Sequence, residues 1–278
     1  MMDKVTGLPP RNDAAPTALL AELAPGWEVL RSPAMAGLGL MAVAVVWQLV
    51  VTLFDVPTYL VPSPLDVARA IGKDHALLAS AAVPTVTEAV LGFLIGNMIA
   101  LFVGVAFVYN KLIEELFYPV AILIKTIPIV AIAPVLKLLL GNGIEPKIAV
   151  AALICFFPTL VNSVRGFRAV NPQLLELMHV LSASRTEVFL RVRIFGALPY
   201  IFSALKISVT MCVLGAIVGE WIGANQGIGF LLLQSMFDFN SPRLFATILT
   251  ASVVAITGFA IVSMLEKWLI RWDPGVSF

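Results

Sequence analysis

The chain has 278 residues, of which 60% are hydrophobic and only 13% charged, with a formal net charge of +1. A water-facing domain carries about 25% charged residues, so a soluble enzyme, a disordered tail and a disulfide-rich secreted module are all disfavoured. The near-zero charge argues against an electrostatic nucleic-acid binder. Cys155 and Cys212 lie in apolar runs, which suits neither a disulfide framework nor a zinc site. A mean hydropathy of +0.97 leaves an all-α, polytopic helical membrane protein.

Residues 1–34 do not read as a cleavable signal, because acidic residues are scattered ahead of a full-length apolar run. Leu19, Leu20, Leu23, Trp27 and Leu30 repeat every three or four positions. This N-terminal segment is therefore either an interfacial helix bent at Pro25-Gly26 or a loosely ordered tail. The membrane domain is expected over 35–272, followed by a tail at 273–278.

A helix needs about 20 mostly apolar residues to cross the hydrocarbon core. On that criterion about six spans are expected: Met35–Phe54, Ala89–Val108, Glu115–Leu140, Ile148–Val164, Leu198–Ile222 and Leu244–Leu265. With a cytoplasmic N-terminus, Lys4, Arg11, Arg31, Lys111, Arg165, Arg168, Arg185, Arg191, Arg193, Lys267 and Arg271 fall inside. Only Arg69, Lys73, Lys147 and Arg243 fall outside, so both termini are expected in the cytoplasm. Ser63-Pro64-Leu65-Asp66 reads as a helix start, with a hydroxyl cap, a proline at the first position and an early acid. A short outer-surface helix over Asp66–Ser80 is expected to follow.

The third run contains Lys125, about 15 Å along a helix from its start at 1.5 Å per residue, and then Pro128 and Pro134. A broken or kinked span is expected there, and broken helices are where transport sites expose backbone groups. Lys125 either faces such a path or snorkels to an interface. Lys206, seven positions past Pro199, presents the same two alternatives. Asn97 either bonds helix to helix or touches cargo. Glu88 and Glu220 are expected near the outer boundary, where a solvated carboxylate costs little; Glu220, Trp221 and Pro128 complete the candidate path residues.

The loop over 165–197 is the most structured connection. Asn171-Pro172 supplies a cap and a first-turn proline, and Leu174, Leu175, Leu177, Met178 and Leu181 supply an apolar face. A break is expected at Ser182-Ala183. Ser184-Arg185-Thr186-Glu187 then has the capping-box pattern, predicting a second short helix to about Phe195, with Pro199 opening the fifth span. Connections longer than about 12–15 residues are usually functional or disordered, and this one is not of low complexity. A basic helical hairpin of this kind either docks a cytoplasmic protein or packs under its own bundle.

Glu176-Leu177-Met178, Ser182-Ala183-Ser184 and Ala197-Leu198-Pro199 resemble the EAA loop of ATP-binding-cassette (ABC) importer permeases. Other landmarks are similar to the nitrate/sulfonate/taurine branch, with its thiamine-pyrimidine-precursor relatives. They are Leu60-Val61-Pro62-Ser63-Pro64, Lys125-Thr126-Ile127-Pro128 with Ala133-Pro134, and Phe156-Phe157-Pro158. Gly219-Glu220-Trp221-Ile222-Gly223 with Gly227-Ile228-Gly229 completes the set, and the glycines are read as a turn. The resemblance covers residues 38–272 and implies the type I ABC importer permease fold. It also implies an ATPase-coupling role for Glu176, Leu177, Met178, Ser182, Ala183, Ser184, Arg185, Glu187 and Pro199. Departures are Leu177-Met178 where the family prefers Ala-Ala, Ser182 where it prefers Gly, and Gly196 where Ile is usual. A serine in a left-handed turn tolerates ~1 kcal/mol of strain or adopts another turn.

No Gly-x-x-x-x-Gly-Lys-Ser/Thr pattern occurs. His75 and His179 lack partners at ligand spacing, and no catalytic, cofactor or metal residue is assigned. What the resemblance implies is a non-enzymatic permease in the bacterial inner membrane, working by alternating access. ATP and Mg would be bound by two cytoplasmic P-loop ATPase subunits, a second permease copy would complete a homodimer, and an external binding protein would deliver cargo. The cargo would be a small polar or anionic solute, such as a sulfonate, nitrate, taurine, an aromatic acid or a pyrimidine precursor. Gly219-Glu220-Trp221 is more similar to the pyrimidine-precursor members than to the nitrate members. The alternative is an ion-gradient-driven carrier or channel, which would need mid-membrane acids and inverted repeats.

Overall fold

The computed structural model describes residues 33–270, and within them all regular structure is helical. The reading of residues 1–34 and 273–278 lies almost entirely outside the described residues. The chain divides into two units: residues up to Pro57 with Ser63–Leu65, and Thr58–Pro62 with everything from Asp66. The first unit contains α1 (Pro33–Leu53), a 21-residue helix with an apolar run Gly37–Leu53 at the position of the first expected span.

The second unit is built from α2 to α10. Four helical stretches in it are long and apolar enough to cross a membrane: Pro64–Tyr109, Glu145–Arg168, Arg185–Trp221 and Ser241–Leu269. α3 (Lys111–Thr126) and α4 (Ile129–Leu140) meet the same length and composition test only as a pair and join at 101° across Ile127-Pro128, the geometry of a broken span or a re-entrant loop. This is the expected break in the third run. Pro128 has extended backbone (φ −57, ψ 124) and precedes the first turn of α4.

Two expectations are corrected. The short helix that opens at Pro64 ends earlier than Ser80: α2 (Pro64–Tyr109) is two helical pieces that meet at a kink at Asp74 (φ −101, ψ 15), the second of which continues through Pro84. The carboxylate at that bend accepts from Arg243 Nε at 2.9 Å, which ties α2 to the start of α10 (Ser241–Leu269). Nor does Pro199 open a span. The second hairpin helix, α7 (Arg185–Val188), passes through a π-turn at Phe189–Arg193 directly into α8 (Ile194–Trp221), so Pro199 is interior. Proline is tolerated inside membrane helices where neighbouring helices and local π adjustments satisfy the freed backbone groups, and here the π-turn lies just upstream.

α5 (Glu145–Arg168) packs between α2 and α8 along a seam of small residues. A Cβ on Gly96 would lie 2.5 Å from the Ala152 carbonyl oxygen, and one on Gly215 would lie 2.7 Å from Ala151 Cα. Between helices in lipid, where the hydrophobic effect gives no net drive, such close backbone approach is what van der Waals attraction and interhelical hydrogen bonds require. A buried polar chain crosses the same seam: the Thr159 hydroxyl is 2.5 Å from Asn97 Oδ1 and 2.8 Å from the Ser208 hydroxyl. It joins one side chain from each of the three helices.

Candidate functional site

At one end of the unit lies the hairpin. Its first helix, α6 (Pro172–Val180), starts as the sequence dictates, with the Asn171 side chain accepting from Gln173 N–H and Pro172 in the first turn. It ends in a left-handed residue, Ser182 (φ +52). Ser182 N–H donates to the His179 carbonyl at 2.9 Å and Ala183 N–H to the Met178 carbonyl at 3.0 Å. This is the Schellman pattern, in which glycine is the usual left-handed residue. Two residues later the expected capping box is complete: Ser184 N–H donates to Glu187 Oε2 at 2.9 Å, and Glu187 N–H donates to Ser184 Oγ at 3.3 Å. The Ser184 backbone N–H and hydroxyl, both donating to the Glu187 carboxylate, hold it below the usual carboxylate range.

The two halves of the hairpin differ in burial. No residue of α6 is buried; Glu176 and Leu177 are exposed and Met178 is half-buried. The second half is anchored. Phe189 is buried, with its ring 5.2 Å from Tyr109 and 5.3 Å from Phe167, and Arg193 Nη1 donates to the Phe167 carbonyl at 3.2 Å. Between the end of α2 and this half is a cavity of about 280 Å³ lined by Tyr109, Ala183, Arg185, Phe189 and Arg193. The result is a helix with exposed apolar residues, Leu174 and Leu177 among them, set beside an anchored turn. Of the residues expected to couple to an ATPase, Pro199 stands apart from the hairpin, in the second turn of α8.

The expected path residues separate into four places. Lys125, in the last turn of α3, holds its Nζ 4.3 Å from the Phe157 ring centroid and with Pro128 lines a cavity of about 480 Å³ whose other walls include Phe156, Pro158 and Met211. Asn97 bonds α2 to α5 in the polar chain above. Lys206 donates to both carboxylate oxygens of Glu266, at 2.9 and 3.1 Å, joining α8 to α10. Glu220 and Trp221 end α8 at the far side of the unit from the hairpin, beside a cavity of about 370 Å³ shared with α9 (Ile228–Phe237).

Glu220 belongs to a buried constellation that the sequence does not reveal. It is 1% exposed, as is Glu88. Thr85 Oγ1 donates to Glu220 Oε1 at 2.6 Å, and Gly229 N–H donates to Glu220 Oε2. Glu88 lies beside Glu220 and pairs with Lys147 Nζ at 3.0 Å. Buried ionisable groups in a membrane interior pair with one another or with backbone groups, and both modes operate here. The cluster therefore does not sit in solvent as expected. Thr85, Lys147 and Gly229 are the members that sequence reading missed; the available signal was the i, i+3 spacing of Thr85 and Glu88, which puts them on one helix face.

Residues 92–271 match the family described as binding-protein-dependent transport system inner membrane component. The chain is 33% identical over 229 residues to the formylaminopyrimidine transport permease protein ThiX of Halalkalibacterium halodurans, covering 82% of this chain and 91% of the relative. It is 31% identical over 236 residues to the riboflavin transport system permease protein RibX of Chloroflexus aurantiacus, covering 84% of this chain and 88% of that one. A chain from an inward-facing structure of the MetNI methionine ABC transporter superposes with a TM-score of 0.59 at 18% identity, over 69% of this chain and 97% of that one. The fold is thus that of ABC importer permeases, which sets aside the ion-gradient carrier. The protein belongs to the family of binding-protein-dependent transport system inner membrane components and is an ABC transporter permease.

Proposed function

We propose that this permease is one half of the membrane path of an ATP-driven importer in a bacterial inner membrane, with both termini and the hairpin cytoplasmic. Two copies enclose the path. Two P-loop ATPase subunits bind ATP and Mg, carry out hydrolysis and dock on the paired hairpins. An external binding protein delivers cargo to the far end, around residues 59–83 and 223–243. This chain supplies no catalytic group.

The observation that carries the reading is α6, a capped helix without a buried residue, set by a Schellman turn and a capping box against an anchored second half. A helix with an uncovered apolar face gains from a partner groove what it does not gain from its own fold. ATP binding to the ATPases then supplies the differential affinity that shifts one state of the permease to the other.

The cargo is a small organic solute with a flat apolar body and an anionic or carbonyl acceptor. Support comes from the cavity at the α3–α4 break, where Phe156, Phe157 and Met211 surround a single ammonium, that of Lys125. Nitrate would leave those walls unused. The names of the relatives, formylaminopyrimidine and riboflavin, favour a heteroaromatic solute within this class.

The test is to tag the chain, solubilise its native membranes in mild detergent and identify stoichiometric companions, then reconstitute them in liposomes. Co-purification of a P-loop ATPase and ATP-dependent uptake are expected. A chain that purifies alone and moves solute without ATP overturns the reading.

A further inference from the structure

α9 is a ten-residue helix, too short to cross a membrane and not capped by a side chain of its own: its N-cap is Gly227, which makes no side-chain hydrogen bond. Its first amides are satisfied by other helices. Gly229 N–H donates to Glu220 at the end of α8, and Ile228 N–H donates at 2.8 Å to the Thr85 hydroxyl of α2, which itself donates to Glu220. Gly227 holds φ +116, and a Cβ there would lie 2.1 Å from Glu220 Oε1, so the close approach of the carboxylate requires glycine at this position. The positive end of the α9 dipole thus rests on a carboxylate carried by another element.

That carboxylate is on the same rod as the hairpin. From Arg185 to Trp221 the backbone is one helical stretch of 37 residues, about 55 Å at 1.5 Å per residue. One end carries the capping box, the other the grip on α9.

We propose that Glu220 and Thr85 are positioning residues that make α9 follow α8 and α2, so that a displacement at the hairpin arrives at the outer end of the path as a movement of α9. The proposal rests on the hairpin being the ATPase docking element. It assigns α9, with Trp221 and Phe237 around its cavity, to the outer gate.

The experiment uses the assembled transporter with a spin label at Gln234, an exposed position on α9, after replacing the buried thiols Cys155 and Cys212. Distances between labels of the two copies are measured without nucleotide and with ATP trapped by vanadate. A photo-crosslinker at Glu176 reports ATPase docking in the same samples. Wild type and T85S are expected to change distance on trapping. T85V, which keeps the shape but removes both hydrogen bonds, is expected to lose that change while retaining the Glu176 crosslink and basal ATPase activity. Hydrogen exchange at Ile228 and Gly229 should speed up in T85V alone. A T85V label that moves as in wild type overturns the latch, as does a wild-type label that stays still with the crosslink intact. Loss of the wild-type crosslink overturns the docking reading and the latch with it.

Discussion

The Lys206 ammonium bridges both carboxylate oxygens of Glu266, so that α8 and α10 are joined by a two-pronged ion pair with each partner about one quarter exposed. Such a pair holds better than an exposed one, and removing one member leaves a partly buried charge behind. K206A and E266A are each expected to lower stability by about 1–2 kcal/mol, and the double variant by less than the sum of the two. Thermal unfolding in detergent checks this. Additive losses would show that the pair is not coupled.

Ser182 is held at φ +52, a conformation that costs a non-glycine residue about 1 kcal/mol. S182G is expected to stabilise the hairpin by up to that amount, less the extra chain entropy of glycine. S182V, β-branched at a left-handed position, is expected to destabilise it by about 1–2 kcal/mol. Protease protection of α6 reads both.

The capping box carries a pH dependence. Glu187 titrates below its usual value of 4.5 because the Ser184 backbone N–H and hydroxyl favour the carboxylate. The folded value is depressed, so the contribution is fully present above the unfolded value and disappears as pH falls through the folded one. Protection of the Ser184 amide should therefore be constant from neutral pH to about pH 5 and fall in the acid range below it, whereas E187Q should be flat. An S184A variant with the wild-type acid profile would remove this assignment.

Lys125 is the lone cation of the cavity at the α3–α4 break. K125A is expected to reduce uptake about tenfold, the equivalent of ~1.4 kcal/mol, without lowering recovery of ATPase in the complex. K125R, which keeps the charge over the Phe157 ring, should restore most of it. Failure of K125A to assemble would make Lys125 structural.

Gly96 allows α2 and α5 to approach until a Cβ would meet the Ala152 carbonyl at 2.5 Å. G96A is expected to cost about 1–3 kcal/mol through overpacking. Gly37, with nothing within 4 Å, is the control, and G37A should gain a few tenths to ~1 kcal/mol in helix propensity. Parallel detergent melts separate the two.

Much of this was legible in the residues. Composition and run length located the apolar helices, and Asn171-Pro172 and Ser184–Glu187 specified two helix starts, because caps are hydrogen bonds among residues two or three apart. The break near Pro128 was legible for the same local reason, but its 101° angle depends on what α3 and α4 pack against. Pro199 was misleading: proline reads as a boundary, yet it is interior in α8, with a π-turn just upstream. The Glu220 constellation was out of reach, since Thr85 and Glu220 are 135 positions apart and only the folded chain brings them together. The exposed face of α6 lay between. Its apolar residues were evident, but that Leu174, Leu177 and Leu181 stay exposed is a tertiary fact.

The π-turn at Phe189–Arg193 closes through Ile194 N–H donating to the Phe189 carbonyl, one residue more than an α-turn. The wide turn takes up that extra residue locally, so the side-chain periodicity of Arg185–Val188 and that of α8 (Ile194–Trp221) are offset by one position in the sequence. A single-residue deletion within 189–193 is therefore expected to let one α register run unbroken from Arg185 to Trp221, at the cost of shifting Phe189 or Arg193 from their contacts with Tyr109 and Phe167.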